Sequence, residues 1–409
     1  MKPLARLLAA LALLLGLAAQ ARAGIASAPG RDLEVELVTY GPGRVYWERF
    51  GHDAIILRDT RSGEAVSFNY GVFDFDTRDF FLKFIRGHLL YSMDAEYAGP
   101  EIASYIAAGR AVRIERLALS AAQASTLRDF LLWNDEPQHR DYRYDYFTDN
   151  CTTRVRDALN LALGAQLFTQ TQAPATDRSF RSQALRMLAH DKPLMLLVDL
   201  GLGPYADRPL TLWQDAFLPV TLSDLVRRVR IADGAGGARP LVAASKRVYA
   251  GDVRAPPPVP PHLLLPLLAL GLAWAAAIAC GVRARAGRAT RFAAAGAVAL
   301  YALPAGLAGL VMLALWTLTT HRAAWANQNL LQFDPALLLL AWPLARSFGA
   351  RRALGRWARA LTLLLAALSL SGLAGHLCGL LGQQNLHWIA FALPINLTLA
   401  AIVWRAARA

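Results

Sequence analysis

One cysteine is the strongest candidate nucleophile in this chain. Of the three cysteines, Cys280 and Cys378 lie inside long apolar runs, where a cysteine is usually a packing residue, and Cys151 lies outside them. Asn150 is a typical N-cap residue, and apolar residues follow it at the spacing of one helix face. The pattern predicts Cys151 in the first turn of a helix, where free N–H groups and the helix dipole stabilise a thiolate and could bind an oxyanion. An inert buried thiol is the alternative.

His52 could be the matching base. It lies in an apolar, strand-like run over 50–58, which is followed by a turn and a return strand over 64–70. In an antiparallel hairpin with this turn, Asn69 or Tyr70 lies across from His52. A Cys–His pair with a polar residue that orients the imidazole is the minimal apparatus of thiol-dependent acyl transfer. Considered singly, His52 is better explained as a capped histidine at a strand end and Asn69 as a turn residue.

The sequence lacks the motifs of other catalytic classes. It has no His or Cys spacing of a zinc site, no phosphate-binding loop and no Gly-x-Ser-x-Gly elbow, so we expect neither a metal nor a cofactor. The net charge is +13, but the residues from His262 onward, with 12 arginines, no lysine and one acid, carry +11 of it. The residues before them are nearly neutral and offer no basic face to a phosphate backbone, which excludes nucleic acid as the main partner.

The first 262 residues divide into three parts by composition. Residues 1–23 have a basic start, an apolar stretch and a small-x-small cleavage site, as a secretory signal peptide does, with an uncleaved anchor helix as the alternative. Residues 24–254 mix charged, aromatic and turn residues in the proportions of a globular domain. The proline-rich segment 255–262 favours a stiff polyproline linker and marks a domain boundary.

Residues 263–409 predict a helical membrane domain. The mean hydropathy of the whole chain, +0.29, is too apolar for a soluble enzyme of this length. Five apolar segments follow the linker, and all except a short third one approach the length that crosses a bilayer. They are 263–281, 292–317, 335–348, 361–382 and 388–404. If the first runs inward, eleven of the twelve arginines are cytoplasmic, as the positive-inside rule requires, which places the globular domain outside and the C terminus inside.

Two outward connections between these segments carry polar residues at the membrane surface. The connections are 318–334 and 382–388, and each contains a Gln-Asn-Leu triplet. Their notable polar residues are His321, Asn327 and Asn329 in the first and Asn385 and His387 in the second. These side chains could line a site for lipid head groups, or they could equally be helix caps and short turns.

Four motifs together resemble the Lnb-type family. They are Thr39-Tyr40-Gly41-Pro42-Gly43, Phe50-Gly51-His52, Phe68-Asn69-Tyr70-Gly71-Val72-Phe73-Asp74-Phe75 and Asn150-Cys151-Thr152-Thr153-Arg154. The outer loop at 318–334 is also similar to the family's. The resemblance implies an α+β fold: a periplasmic domain similar to circularly permuted NlpC-type papain-like enzymes, followed by an all-α membrane domain of about five transmembrane helices in the bacterial inner membrane.

The resemblance also implies an activity and a set of site residues. The implied activity is lipoprotein N-acyltransfer, in which an acyl chain moves from a phospholipid donor to the α-amine of a lipoprotein's diacylglyceryl cysteine without a cofactor. By position, Cys151 is the nucleophile and His52 the base. Asn69 as the orienting residue is a geometric inference, and Tyr40 and Asp53 compete for that role. The candidate substrate-binding residues are Tyr40, Arg154, His321, Asn327, Asn329, Asn385 and His387.

Two other functions fit parts of the sequence. NlpC-type folds often cut cell-wall peptides, so a membrane-anchored peptidoglycan amidase or endopeptidase is the alternative enzyme, and its soluble domain should be active alone. The non-enzymatic alternative is a periplasmic scaffold, whose function would tolerate Cys151→Ala. The transferase explains the domain combination best, because a phospholipid ester and a membrane-tethered lipoprotein both reach a thiol domain that is fused to membrane helices.

Overall fold

The computed structural model describes residues 24–173, 175–232, 236–283, 286–350 and 353–406. The expected signal peptide at 1–23 lies outside the described residues. The chain divides into two compact units. The first consists of Met1–Phe180 and Pro209–Pro257, and the second of Arg181–Arg208 and Pro258–Ala409.

The first unit is built on an antiparallel sheet. Its strands are β1 (Leu33–Tyr40), β2 (His52–Asp59), β3 (Ala65–Val72), β4 (Leu90–Tyr97), β5 (Val112–Leu117), β6 (Asp141–Arg143), β7 (Arg230–Ala232), β8 (Ala238–Pro240) and β9 (Val242–Tyr249). Seven of them form one sheet in the order β6-β4-β3-β2-β1-β5-β9, and β7 pairs with β8. Neighbouring strands of the large sheet are all antiparallel. The strand order places β2 and β3 near its centre.

Helices cover both faces of this sheet. The helices before the linker are α1 (Phe80–Arg86), α2 (Ala98–Ala107), α3 (Ala121–Asp135), α4 (Cys151–Ala162), α5 (Gln166–Thr171), α6 (Phe180–Met187), α7 (Lys192–Gly201), α8 (Leu212–Asp215) and α9 (Pro219–Val226). One core joins Ile55 and Phe68 of the sheet to Leu127 of α3 and Leu159 of α4. On the opposite face, α2 packs on residues of β1 and β2 such as Ile56. The apolar run of β2 is therefore buried on both sides.

The β2–β3 hairpin forms as the sequence predicts, but the expectation that Asn69 or Tyr70 lies directly across from His52 is wrong. Ala54 pairs with Asn69, so His52 and Asn69 project from the same face of the sheet as diagonal neighbours. The β3–β4 pairing shifts register after Tyr70, and Gly71 at this bulge has a φ of +92°. The hairpin thus brings the first residue of β2 close to the bulged end of β3.

The second unit contains the five apolar segments, and each forms a helix. They are α10 (Leu264–Cys280), α11 (Arg288–Leu318), α12 (Leu337–Ala350), α13 (Arg356–Leu377) and α14 (Leu386–Ala406). Of the described helices, α11, α13 and α14 are long and apolar enough to cross a membrane, whereas α10 and α12 are shorter. Large apolar side chains such as Leu300 and Trp342 are exposed on these helices, as lipid-facing residues would be.

The segment 181–208 packs with the C-terminal helices, whereas its composition predicts that it belongs to the globular domain of residues 24–254. Asp199 on α7 accepts hydrogen bonds from His387 at 2.5 Å and from the indole N–H of a neighbouring tryptophan at 2.8 Å. Asp207 accepts a hydrogen bond from the backbone N–H of Gln384 at 3.1 Å. These partners lie far apart in sequence, so no local pattern could reveal that this segment belongs to the second unit.

Candidate active site

Cys151 is the first residue of helix α4, where the sequence analysis expected it. The cap is Asn150, whose side-chain oxygen accepts from the N–H of Thr153 at 2.9 Å. The side-chain amide of Asn150 in turn donates to the backbone oxygens of Tyr146 at 2.9 Å and Phe217 at 3.0 Å. Because the cap is buried and bonded on three sides, the start of α4 and the thiol it carries are fixed in position.

The imidazole of His52 connects the thiol to Asn69. His52 Nε2 lies 2.9 Å from Asn69 Oδ1, and Cys151 is the neighbour that most raises the pKa of His52. Asn69 Nδ2 faces Ser67 Oγ at 3.4 Å, which leaves Oδ1 as the acceptor for the ring. With Nε2–H donating to Oδ1, in the neutral ring or the imidazolium, Nδ1 is the ring nitrogen left for the sulfur. The structure thus brings Cys151, His52 and Asn69 together as a thiol–imidazole–amide row.

His52 and Cys151 shift each other's pKa. Burial lowers the pKa of the imidazole, but the charge and hydrogen bond of Cys151, together with the hydrogen bond to Asn69, raise it to about 9. Burial likewise disfavours the thiolate, yet the charge and hydrogen bond of His52 outweigh burial and hold the pKa of Cys151 below its usual value. Between these two pKa values the pair exists as thiolate and imidazolium, the reactive form of a catalytic cysteine.

The two competing candidates for the orienting role make different contacts. Tyr40 pairs with His52 across β1 and β2, and its ring lies parallel to the imidazole at 6.1 Å and to Tyr105 at 3.6 Å. A part in orienting the imidazole stays a prediction for Tyr40. Asp53 projects to the opposite face, is completely buried, and accepts a hydrogen bond from Thr39 Oγ1 at 2.8 Å. Burial raises the pKa of Asp53 to about 7.

Two glycines shape the backbone around the site, and the sequence analysis gave them no separate role. Gly71 has a φ of +92°, and a Cβ there would lie 3.6 Å from Cys151 Cβ and 3.7 Å from the Tyr144 ring. Gly51 has a φ of +86°, and a Cβ there would lie 2.7 Å from the backbone oxygen of Tyr40. Only glycine readily adopts these conformations. The signal available in the sequence was a glycine inside a strand pattern, which indicates a bulge.

Arg154, predicted to bind substrate, is engaged by neighbouring residues. Its guanidinium donates to Asp149 through two nitrogens, one of them at 2.8 Å, and lies 4.2 Å from the ring centre of Tyr142. Arg154 therefore ties the loop before α4 to the first turn of that helix. A direct contact with substrate stays a prediction.

The amides predicted in the two outward connections meet within the second unit. Gln328 and Gln383 exchange hydrogen bonds between backbone N–H and side-chain oxygen at 2.7 and 3.0 Å, which joins the two connections. Asn327 and Asn329 both donate to the backbone oxygen of Leu200, at 2.8 and 3.1 Å. Asn385 donates to the side-chain oxygen of Asn329 at 2.9 Å. The three asparagines are buried, so they hold the connections together, and a role in substrate binding stays a prediction.

The two histidines of these connections differ in their surroundings. His387 is partly exposed and bonds to the buried Asp199, which also forms an ion pair with Arg181. His321 precedes the short turn Arg322–Ala324, and its backbone N–H lies 3.3 Å from Thr319 Oγ1.

Two family models match most of the chain. The model of the Lnb N-terminal periplasmic domain matches residues 19–183, and that of the Lnb transmembrane domain matches residues 263–403. The chain belongs to the Lnb-type family. No curated protein and no solved structure gives a significant match.

Membership of the Lnb-type family confirms the expected architecture. The Lnb-type chain has a mixed α+β periplasmic domain and a helical membrane domain, as the sequence resemblance predicted. Membership also indicates an inner-membrane enzyme of lipoprotein biogenesis. Among the described residues, no group of three or more His, Cys, Asp or Glu side chains could hold a metal ion. The groups that this Lnb-type site brings together are the thiol, the imidazole and the amide.

Proposed function

We propose that the chain is a lipoprotein N-acyltransferase that moves an acyl chain from a membrane phospholipid to the α-amine of a lipoprotein's diacylglyceryl cysteine. The observation that carries the proposal is the row of Cys151, His52 and Asn69 at the start of a helix, in a chain that also has membrane-spanning helices. A thioester keeps much of the acyl-transfer potential of an ester, so the reaction needs no external energy source or cofactor.

The first half-reaction loads the acyl chain onto the thiol. The Cys151 thiolate attacks the carbonyl carbon of a phospholipid ester, and the backbone N–H groups of Cys151 and Thr152 in the first turn of α4 stabilise the oxyanion. As the tetrahedral intermediate collapses, the C–O bond breaks and a C–S bond remains. The His52 imidazolium gives its proton to the departing alkoxide, which leaves as a lysophospholipid.

The second half-reaction discharges the thioester. The neutral α-amine of the lipoprotein attacks the same carbonyl carbon, a C–N bond forms and the C–S bond breaks. His52, now neutral, accepts the proton that the amine loses, and this restores the thiolate–imidazolium pair. Asn69 acts by holding the ring so that Nδ1 faces the sulfur in both half-reactions. Both substrates are membrane-bound, which accounts for the fused helices and for a catalytic domain on the periplasmic side.

Trapping the acyl-enzyme tests the proposal. Full-length protein in detergent is incubated with phospholipid and no acceptor, and we expect a fatty-acyl mass increase on the peptide that contains Cys151. Neutral hydroxylamine should remove the adduct, because thioesters react with it much faster than oxygen esters do. A diacylated lipopeptide with a free α-amine should also discharge it, whereas an N-blocked lipopeptide should not. Cys280→Ala and Cys378→Ala are the matched controls and should load normally.

The same experiment separates the transferase from the wall hydrolase and the scaffold. Loading of Cys151 by phospholipid, followed by transfer to the lipopeptide amine, is expected only of the transferase. Cleavage of muropeptides by the full-length protein without any acyl adduct would support the amidase or endopeptidase instead. Restoration of mature lipoproteins by Cys151→Ala in a deletion strain would leave only the non-catalytic scaffold.

A further inference from the structure

Helix α1 and the loops next to it expose a group of large apolar side chains. Phe81 and Ile85 on α1 are 75% and 57% exposed, although Phe80, the first residue of the helix, is buried. We call the exposed group the α1 surface; its members are Tyr46, Trp47, Phe75, Phe81, Leu82 and Ile85. Single exposed apolar residues need no explanation, whereas a contiguous group marks an interaction site.

Ring contacts show that the α1 surface is contiguous. Tyr46 contacts Trp47 at a centroid distance of 4.6 Å, and Trp47 contacts Phe75 at 6.4 Å. Phe75 contacts Phe80 at 5.0 Å, and Phe80 contacts Phe81 at 5.4 Å. Residues from two loops and one helix therefore form one apolar surface.

A row of aromatic side chains continues from this surface to the thiol. Phe73, which belongs to the same ring network, lies 5.3 Å from Tyr91, and Tyr91 stacks on Tyr144 at 4.3 Å. The Tyr144 ring and Cys151 both lie next to Gly71, within 4 Å of where its Cβ would be. The α1 surface is thus connected through aromatic contacts to the candidate active site.

The composition of α1 and its neighbouring loops favours a lipid surface over an apolar protein surface. Lys83 and Arg86 are the charged residues of the helix, and both lie in its last turn. The loop before it carries Asp74, Asp76, Arg78 and Asp79; Asp74 accepts a hydrogen bond from the backbone N–H of Asp76 at 2.8 Å, and Arg78 lies 3.7 Å from Asp79. A short helix with large apolar side chains, basic residues and a nearby Trp and Tyr has the composition of a segment that lies in the membrane interface.

We propose that the α1 surface inserts into the outer face of the phospholipid bilayer and that the aromatic row guides a lipid acyl ester from there to Cys151. The chain tethers the first unit to the membrane helices, because β9 ends at Tyr249 and the first membrane-domain helix begins at Leu264. The connection of residues 250–263 can span at most roughly 50 Å. The role of the aromatic row rests on the proposed acyl transfer and adds to it an entry route for the phospholipid donor.

A spin label on the α1 surface tests insertion without relying on activity. Phe81→Cys is made in full-length protein that also carries Cys151→Ser, Cys280→Ala and Cys378→Ala, and Leu161→Cys on the exposed side of α4 is the matched control. In vesicles of phosphatidylethanolamine and phosphatidylglycerol, we expect the label at 81 to be more accessible to oxygen than to a water-soluble nickel chelate. The label at 161 should show the reverse. Equal exposure of both labels to the chelate would overturn the proposal, as would shielding at 81 that appears only after lipoprotein is added.

A second measurement connects the α1 surface to donor entry. The triple variant Phe81→Ser, Leu82→Ser and Ile85→Ser is compared with Leu161→Ser by the rate of Cys151 acylation. The ratio of the rate with phospholipid vesicles to the rate with a water-soluble short-chain ester should fall about tenfold in the triple variant and stay constant in the control. An unchanged ratio would overturn the donor route. If wild-type protein loads from neither donor, the proposed thioester chemistry fails, and the depth of the label at 81 still decides insertion.

Discussion

The protonation of His52 provides a quantitative test of the thiolate–imidazolium pair. Burial lowers the pKa of His52, and Cys151 is the main influence that raises it to about 9 from an ordinary 6.5. Cys151→Ala removes both the negative charge and one hydrogen bond and leaves burial in place. The pKa of His52 should therefore fall to 6.5 or below. At 1.36 kcal/mol per pH unit, the change corresponds to about 3 kcal/mol of interaction between the two side chains.

The direction of this change follows from which form each neighbour favours. A thiolate stabilises the imidazolium, so wild-type His52 should stay protonated until the pH rises through about 9. Without the thiolate, burial favours the neutral ring, and His52 should lose its proton near or below neutral pH. The two proteins should differ most between pH 7 and 9, where only the wild type would carry the charged ring.

Carbon-13 labelling of the histidines makes the titration measurable in the full-length protein. The chain has eight histidines, and the signal missing from His52→Gln identifies His52. Cys280→Ala, which removes a thiol from a membrane helix, is the matched control and should leave the midpoint at about 9. If His52 titrates at the same pH in the wild type and in Cys151→Ala, the thiol does not raise its pKa and the ion-pair reasoning is refuted.

The remaining predictions concern other parts of the site and the membrane unit. Asn69→Ala should slow acyl loading of the thiol about tenfold by loss of one orienting hydrogen bond, and loading at the wild-type rate would contradict that role. Gly71→Ala should destabilise the first unit by about 1–2 kcal/mol, as measured by denaturant unfolding. The added methyl group would make only ordinary contacts, so this cost comes from backbone strain at positive φ. Asp199→Asn should lower the thermal unfolding midpoint, since breaking a buried ion pair costs about 3 kcal/mol. A reporter at residue 325 should be periplasmic and one after Ala409 cytoplasmic, and the reverse pattern would overturn the topology.

The parts of the structure that could be predicted from sequence are those with local causes. The cap at Asn150 and the apolar spacing after it are enough to begin a helix at Cys151. The alternation and turn around residues 61–63 predict the hairpin and the neighbourhood of His52 and Asn69, although Asn69 pairs with Ala54 and not with His52. The membrane helices follow from apolar length alone. Each of these signals lies within about 20 residues of chain.

The parts that escaped prediction depend on contacts between distant residues. Asp53 follows His52 directly, yet alternation along β2 sends it to the other face, where Thr39 bonds to it. Nothing in the sequence near Asp53 shows which neighbour it meets. The exposure of α1 is another case, because nothing in the apolar run Phe80–Ile85 shows that Phe80 is buried whereas Phe81, Leu82 and Ile85 are exposed.

The segment 181–208 shows how such distant contacts change the choice of experiment. Arg181 is buried between Asp199 and Asp207, and Asp199 also binds His387 of the last helix. Because buried charges are tolerated only when they are paired and hydrogen-bonded, this cluster needs its partners from the C-terminal part of the chain. A fragment of residues 24–254 would contain the arginine and both aspartates without His387. Loss of acyl transfer in that fragment could therefore result from the broken ion cluster as readily as from the missing membrane helices. Transferase and hydrolase activities must for this reason be compared in the full-length protein.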